Sequence, residues 1–499
     1  MKILRAKLDF IRCYTSCYYV DSCEYTRLLL HCKSLSGLKK IHARIIVNGC
    51  EHNPFLASKF VGRYAEHGSM DNARKVFEVV PERDVLLWNV VIRGYAERGP
   101  FAEAIKVYHR MRSSGIHPNR YTYPFVLKAC AAVGGRKGQE IHGHIFRAGL
   151  WSDLFVANAL VALYAKCGDI VRARRLFDEI PDKDLVSWNS MIAGYSQNEL
   201  TSEALELFHQ MVVGEECRIM PDRVTLVTVL PVCAHLAAIQ EGLWIHTHII
   251  KSGMEIDVAL GSGLVGTYAK CGRLSTARTL FAKIPQRNVV VWNMMIGGFG
   301  MHGHATEAIE MFLEMVGAGV RPDDISFVTL LSACSHAGMV DEGLELFKTM
   351  ETHGVERTPV HYACLVDLLA RAGRLADALD LIEKMPVKAG KDAWGALLGA
   401  CRIHGNLELA ELAAEKLFVL DPDNAGRYVA LAKMYEDAGR MEDVARVRKK
   451  MRERRIKKQH GCSMIEVDCV LHTFGVDDDS HPMAQSIYDT LEHLEMEME

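Results

Sequence analysis

Trp88, Trp188, Trp292 and Trp394 recur at nearly equal intervals, and around the first three the chain says almost the same thing each time. Leu185–Met211, LVSWNSMIAGYSQNELTSEALELFHQM, is the clearest copy. Trp188, Met191, Ile192 and Tyr195 fall at i, i+3, i+4 and i+7, as do Ala204, Leu207, Phe208 and Met211. The stretch therefore reads as two amphipathic helices joined by a short polar turn. A hairpin of that size cannot cover its own apolar stripes. It needs a neighbour on each side, and repetition supplies one. The expected fold is all-α, a right-handed α-solenoid superhelix of helix-turn-helix repeats. Sheet is confined to a short strand pair around Met464–Phe474.

A chain of 499 residues would ordinarily divide into several globular domains, but a solenoid escapes that limit because each repeat packs only on its neighbours. Charged residues make up 24% and the formal net charge is −3. That balance, taken alone, argues mildly against a nucleic-acid binder. Of the fifteen cysteines, Cys130, Cys233 and Cys334 share one helix position, and Cys167 and Cys271 another. Cysteines placed regularly on apolar faces read as buried, reduced thiols and not as disulfides. No apolar run is long enough to cross a membrane.

Residues 1–21 carry Lys2, Arg5, Lys7 and Arg12 among Ile3, Leu4, Leu8, Phe10 and Ile11, which fits an amphipathic organelle presequence. An incomplete first repeat is the other reading. Cys13, Cys17 and Cys23 have no CxxC spacing and no histidine beside them, so no zinc site is expected there.

From Ser22 to Gly390 the chain divides into eleven repeats of three kinds in fixed rotation. The first kind, with a Trp-Asn pair, covers Val85–Asn119, Leu185–Asp222 and Val289–Asp323. The second covers Ser22–Asn53, Arg120–Asp153, Arg223–Asp257 and Asp324–Thr358; three copies carry an Ile-His pair at His42, His142 and His246. The third is shorter and covers Pro54–Asp84, Leu154–Asp184, Val258–Asn288 and Pro359–Gly390.

This rotation, with phrases such as VSWNSMIAGY, LKACAAVGG, GQEIHGHI, NALVALYAKCG and ARRLFDEIPDKD, resembles the PLS subclass of the plant pentatricopeptide repeat family. Residues 391–458 resemble that family's two tetratricopeptide-like extension motifs, Lys391–Asn424 and Ala425–Lys458. Residues 459–499 form a post-extension segment and acidic tail. Within it, Gly461–Pro482 is similar to the stretch ahead of the family's C-terminal deaminase domain. The chain lacks that domain: a zinc deaminase needs H-x-E with P-C-x-x-C, the late His493-Leu494-Glu495 reads as chance, and no CxxC occurs. The chain is thus expected not to be an enzyme and to take no cofactor or metal. His142/His144 and His246/His248 are two apart on a helix and point in different directions, so they read as packing residues.

The periodic polar residues carry the functional expectation. The fifth and last positions of the first-kind repeats are Asn89 with Asn119, Asn189 with Asp222, and Asn293 with Asp323. Those of the third kind are Ser58 with Asp84, Asn158 with Asp184, and Ser262 with Asn288. Hydrogen-bonding groups placed alike in successive hairpins can read unpaired bases, one per repeat. Helix capping is the competing explanation. The second-kind repeats carry Thr26, Pro124, Val227 and Val328 there, of which the apolar three cannot read base edges. Arg446–Lys458 is basic and either touches phosphate or is a solvated face.

The resemblance implies a sequence-specific single-stranded RNA-binding protein, the site-recognition factor for C-to-U editing of organelle transcripts. It implies a deaminase-bearing family member recruited in trans, organelle editing accessory proteins as further partners, no membrane, and a mitochondrial location with the chloroplast as alternative. By the family's code the target reads G-Y-n-U-U-n-A-U-n-n-n-n-n-C. The alternatives are a factor for splicing, processing or stabilising organelle RNA, and a peptide-binding scaffold of tetratricopeptide type.

Overall fold

The computed structural model describes residues 24–214, 219–456, 462–467, 470–475 and 480–498. The expected presequence at residues 1–21 and Cys13, Cys17 and Cys23 lie outside them. The chain forms two compact units, residues 1–229 and 230–499. Each is an all-α solenoid of helical hairpins, as the periodicity requires.

In the first unit the leading helices of successive repeats, Pro54–Glu66, Val85–Arg98, Tyr123–Ala132, Leu154–Lys166 and Leu185–Gln197, pack one on the next. The trailing helices, such as Met70–Val79, Phe101–Ser113 and Ile170–Asp178, form the second layer. The second unit repeats the scheme with leading helices Val258–Lys270, Val289–Met301, Asp324–Ala337, Pro359–Arg371 and Lys391–His404.

The tryptophans set the register between repeats. Trp88, Trp188 and Trp292 are buried. Each meets a phenylalanine of the preceding trailing helix edge-on, at 4.8 Å from Phe77, 5.3 Å from Phe177 and 4.7 Å from Phe281. Edge-to-face aromatic pairs of this kind add to the stabilisation from buried area. Nearly two turns further along, the leading helices come unusually close. A Cβ built on Gly194 would lie 2.7 Å from the Ala165 Cβ, and one on Gly298 2.5 Å from the Ala269 Cβ. The leading helices of the third-kind repeats stop at Gly168 and Gly272, whose φ of 79° and 75° excludes most other residues.

The extension region continues in the same manner. Lys391–His404 pairs with Leu407–Leu420 and Ala425–Asp437 with Met441–Glu453; Trp394, Leu397, Cys401, Phe418 and Tyr428 lie in their common core. Beyond it, strands β1 (Cys462–Val467) and β2 (Val470–Gly475) form the expected antiparallel pair, with Ile465 opposite His472. A helix follows over Ala484–Met498. Among the described residues no helix is long and apolar enough to cross a membrane.

The cysteine expectation divides. Cys130, Cys233, Cys334 and Cys401 are buried, and burial pushes the thiols of Cys130, Cys334 and Cys401 up to about 11. Cys167 is exposed and Cys271 only half-buried. Both occupy the C-cap of a leading helix, where the chain turns away from the apolar face.

Candidate nucleic-acid interface

Each fifth residue lies on the second turn of a leading helix, and each last residue closes the loop that enters the next leading helix. Asp84, Asp184, Asn288 and Asp323 are N-caps whose side chains accept a backbone N–H three residues on. Asp222 accepts from the Thr225 N–H in the same way at 2.9 Å, and Asn119 Oδ1 accepts from the Tyr121 N–H at 3.0 Å. Capping is therefore an established role of the last residue. It does not stand as an alternative to a second one.

Four of the six pairs are joined across neighbouring leading helices. The Asn89 amide donates to Asn119 Oδ1 at 3.1 Å, Asn158 to Asp184 Oδ1 at 3.1 Å, Asn189 to Asp222 Oδ1 at 3.2 Å and Asn293 to Asp323 Oδ1 at 3.0 Å. The other two are not joined. Ser58 and Ser262 donate instead to carbonyls of their own helices, Phe55 at 2.7 Å and Ala259 at 2.9 Å, leaving Asp84 and Asn288 apart from them. A serine is too short to span the gap that an asparagine bridges.

Desolvation pushes the carboxyls of Asp184, Asp222 and Asp323 up, but hydrogen bonds from Ser187, Thr225 and Ser326 and from the asparagine amides outweigh it. All three end below the ordinary value of 3.8. They are carboxylates at neutral pH. The capping bonds and the asparagine bond converge on Oδ1. An asparagine amide carries two protons, and one is spent on the cap. The second amide proton of each asparagine and the second carboxylate oxygen, Oδ2, take no part in these bonds.

Two further sets of residues join these pairs, and the sequence reading passed over both. Thr122, Ser187, Thr225 and Ser326, all buried, stand three residues into the following repeat and donate hydroxyl bonds into the pairs. One place earlier, Phe55, Leu86, Tyr121, Phe155, Val186, Val224, Val290, Ile325 and Val360 are apolar yet between 46% and 60% exposed. The signal for them was an apolar residue just ahead of each buried stripe, one position too early to belong to it.

The histidines are packing residues. His142 bonds Tyr164 in the following repeat at 2.9 Å and His144 bonds Tyr108 in the preceding one at 3.0 Å. The basic run is partly engaged within the protein. Arg446 pairs with Asp443, Lys450 lies 4.7 Å from the Phe418 ring centroid, and Arg454 donates to the Tyr428 hydroxyl at 3.1 Å. Lys457 and Lys458 lie outside the described residues.

Leading helices packed one on the next, six of them with a polar pair beside an exposed apolar residue, define a class of modular helical-repeat proteins. Sequence comparison places the chain within it. Residues 83–132 and 287–336 match the PPR repeat family, residues 155–185, 186–213, 325–355 and 360–388 match the PPR repeat, and residues 404–466 match the E motif. The chain is 40% identical over 483 residues to the pentatricopeptide repeat-containing protein CRR2, chloroplastic, of Arabidopsis thaliana, an alignment covering 95% of this chain and 73% of that one. It is 40% identical over 464 residues to the mitochondrial protein At2g22410 of the same plant, covering 86% and 68%. The solved structure of PPR10 from maize superimposes with a TM-score of 0.42 at 16% identity, covering 87% of this chain and 73% of that one. The protein belongs to the pentatricopeptide repeat family and carries its E motif.

Proposed function

We propose that the protein binds single-stranded RNA of a plant organelle in a sequence-specific manner, marks sites for C-to-U editing, and brings in a deaminase-bearing family member in trans with organelle accessory proteins. The observation that carries the RNA reading is the coupling, in six repeats, of a polar pair with an exposed apolar side chain. Apolar and aromatic side chains give an unpaired base a face to stack on, and polar groups beside them meet its edge. Pentatricopeptide repeats are themselves the standing example of one base read per helical repeat.

The atoms left over by capping suit this role. An amide proton beside a carboxylate oxygen complements uracil, which offers a carbonyl oxygen beside N3–H. Asn89 with Asn119 replaces the carboxylate by a second amide, which accepts or donates according to its orientation and so admits either pyrimidine. Ser58 with Asp84 and Ser262 with Asn288, which are not joined, keep their groups separate for purines. The E motif, and relatives whose names are chloroplastic or mitochondrial, support an organelle editing role. Catalysis would then reside in the partner.

Selection of RNA ligands from a random pool by the purified protein tests the binding, and enrichment of G-Y-n-U-U-n-A-U is the expected result. Sequencing organelle transcripts from a null mutant tests the outcome: loss of C-to-U conversion at one or a few sites supports editing, whereas altered transcript ends or unspliced introns with normal editing would replace it with an RNA-processing role.

A further inference from the structure

We infer that at the Asn89, Asn189 and Asn293 sites the buried hydroxyl three residues into the following repeat is a third member, a positioning residue that fixes which way the amide faces and hence which base is accepted. This rests on the RNA reading proposed above.

The first observation is an association within the chain. Wherever the fifth residue is asparagine, at Asn89, Asn158, Asn189 and Asn293, the third residue of the next repeat is Thr122, Ser187, Thr225 or Ser326. Where the fifth residue is Ser58, Ser262, Pro124 or Val227, that place holds Leu87, Val291, Val156 or Leu260. All these places lie on the buried side of a leading helix. A hydroxyl serving only its own helix would have no reason to track a side chain on the helix before it.

The second observation is geometric. Thr122, Thr225 and Ser326 each donate to the amide oxygen of Asn89, Asn189 and Asn293 at 2.7 Å. The backbone N–H groups of Asn119, Asp222 and Asp323 donate into the same hydroxyl oxygens at 3.0, 3.3 and 3.2 Å. With that oxygen already accepting, the single hydroxyl proton is shared between the amide oxygen at 2.7 Å and Oδ1 of Asn119, Asp222 or Asp323 at 3.2, 2.9 and 2.8 Å, and the shorter contact to the amide is favoured in all three. A hydroxyl proton meets only an acceptor, so it selects the amide orientation with Oδ1 inward and the NH2 group toward the cap. Reversal would put an acceptor where the base meets a donor and invert the preference of the site.

Asn158 supplies the internal contrast. Ser187 donates to Asp184 Oδ1 at 2.8 Å, and Asn158 Oδ1 is buried without a hydrogen-bond partner. Its amide is held from one side only, so this repeat should discriminate least among the four.

The test uses the full-length chain carrying Thr225→Val, Thr225→Ser or Ser326→Ala. Each is titrated with RNAs that differ by one base at the nucleotide read by the Asn189 repeat or at the one read by the Asn293 repeat. Thr225→Val should lose about tenfold in discrimination at the first nucleotide and nothing at the second, and Ser326→Ala the reverse. Thr225→Ser should restore discrimination. Equal losses at both nucleotides, or none, would overturn the inference, because a hydroxyl that only supports the fold weakens all RNAs alike. Should Thr225→Val not fold, Ser326→Ala decides alone. A wild-type protein indifferent at both nucleotides removes the RNA reading and the inference with it.

Discussion

Nδ1 of His142 lies 2.9 Å from the hydroxyl of Tyr164, and the same bond recurs between His42 and Tyr64 at 3.1 Å and between His246 and Tyr268 at 2.9 Å. Each joins the trailing helix of a second-kind repeat to the leading helix of the next. At the matching positions of the fourth copy stand Phe347 and Leu369, so both partners turn apolar together. The pair behaves as one interlocking unit between hairpins.

Burial holds all three histidines below their ordinary value of 6.5, with Arg172 adding to the effect at His142. A group whose folded value is depressed binds more protons when unfolded, so stability rises with pH through that region. The contribution is complete above 6.5 and shrinks as pH falls below it. Thermal melting should therefore drop between about pH 7 and pH 5.5, in a window set by histidine and not by carboxylates. Replacing His142 and Tyr164 together by Phe and Leu should flatten part of that slope; an unchanged slope would show that the pair is not its source.

The close approach of the leading helices gives a test of packing. Gly194→Ala places a methyl group against Ala165 and should destabilise the first unit by roughly 1–3 kcal/mol, because backbone must move to accept it. Gly143, on the trailing helix Arg136–Arg147, has open space where a Cβ would go. Gly143→Ala should instead stabilise by about 0.5–1 kcal/mol through the unfolded chain's lost freedom. Chemical denaturation of the two variants should thus shift the midpoint in opposite directions.

The hairpins, their caps and the terminal strand pair were legible in the sequence because each depends on periodicity within one segment. What the sequence withheld depends on which atoms meet between segments. Ser58 with Asp84 and Asn158 with Asp184 occupy the same places in their repeats, yet only the asparagine is long enough to reach its partner. Thr225 looked like an ordinary residue on a buried stripe, since nothing in its own helix reveals the Asn189 oxygen facing it. Cys167 matched Cys271 in position, but a C-cap residue's exposure follows from how the turn leaves the helix. The exposure of Phe155 and Ile325 is not legible at all, because it cannot be read from residue type.

The proposed division of labour predicts how activity separates. The purified chain should leave cytidine in its target RNA unchanged, with or without added zinc, and conversion should appear only when a deaminase-bearing partner is supplied. A truncated chain ending before Lys391 should retain RNA selectivity while losing the partner's conversion of that RNA. Deamination by the full-length chain alone would refute this arrangement.

Asp323 separates capping from reading, because its two roles respond differently to the same substitutions. Asparagine is as good a cap as aspartate, so Asp323→Asn should leave thermal stability nearly unchanged. On the proposed reading it removes the carboxylate that would meet a uracil N3–H, so binding to the uridine-bearing RNA should weaken by roughly 1–3 kcal/mol while the cytidine-bearing RNA gains. Asp323→Ala removes both roles and should lose about 0.5–2 kcal/mol of stability as well as the preference. The pH dependence follows from the same carboxyl. Its folded value lies below 3.8, so its contribution to stability is present above that value and is lost only as pH falls through the lower folded one. The uridine preference should accordingly stay level from neutral pH down to about pH 5. If Asp323→Ala lowers the melting temperature while Asp323→Asn and Asp323→Ala both leave base preference intact, Asp323 is a cap and nothing more.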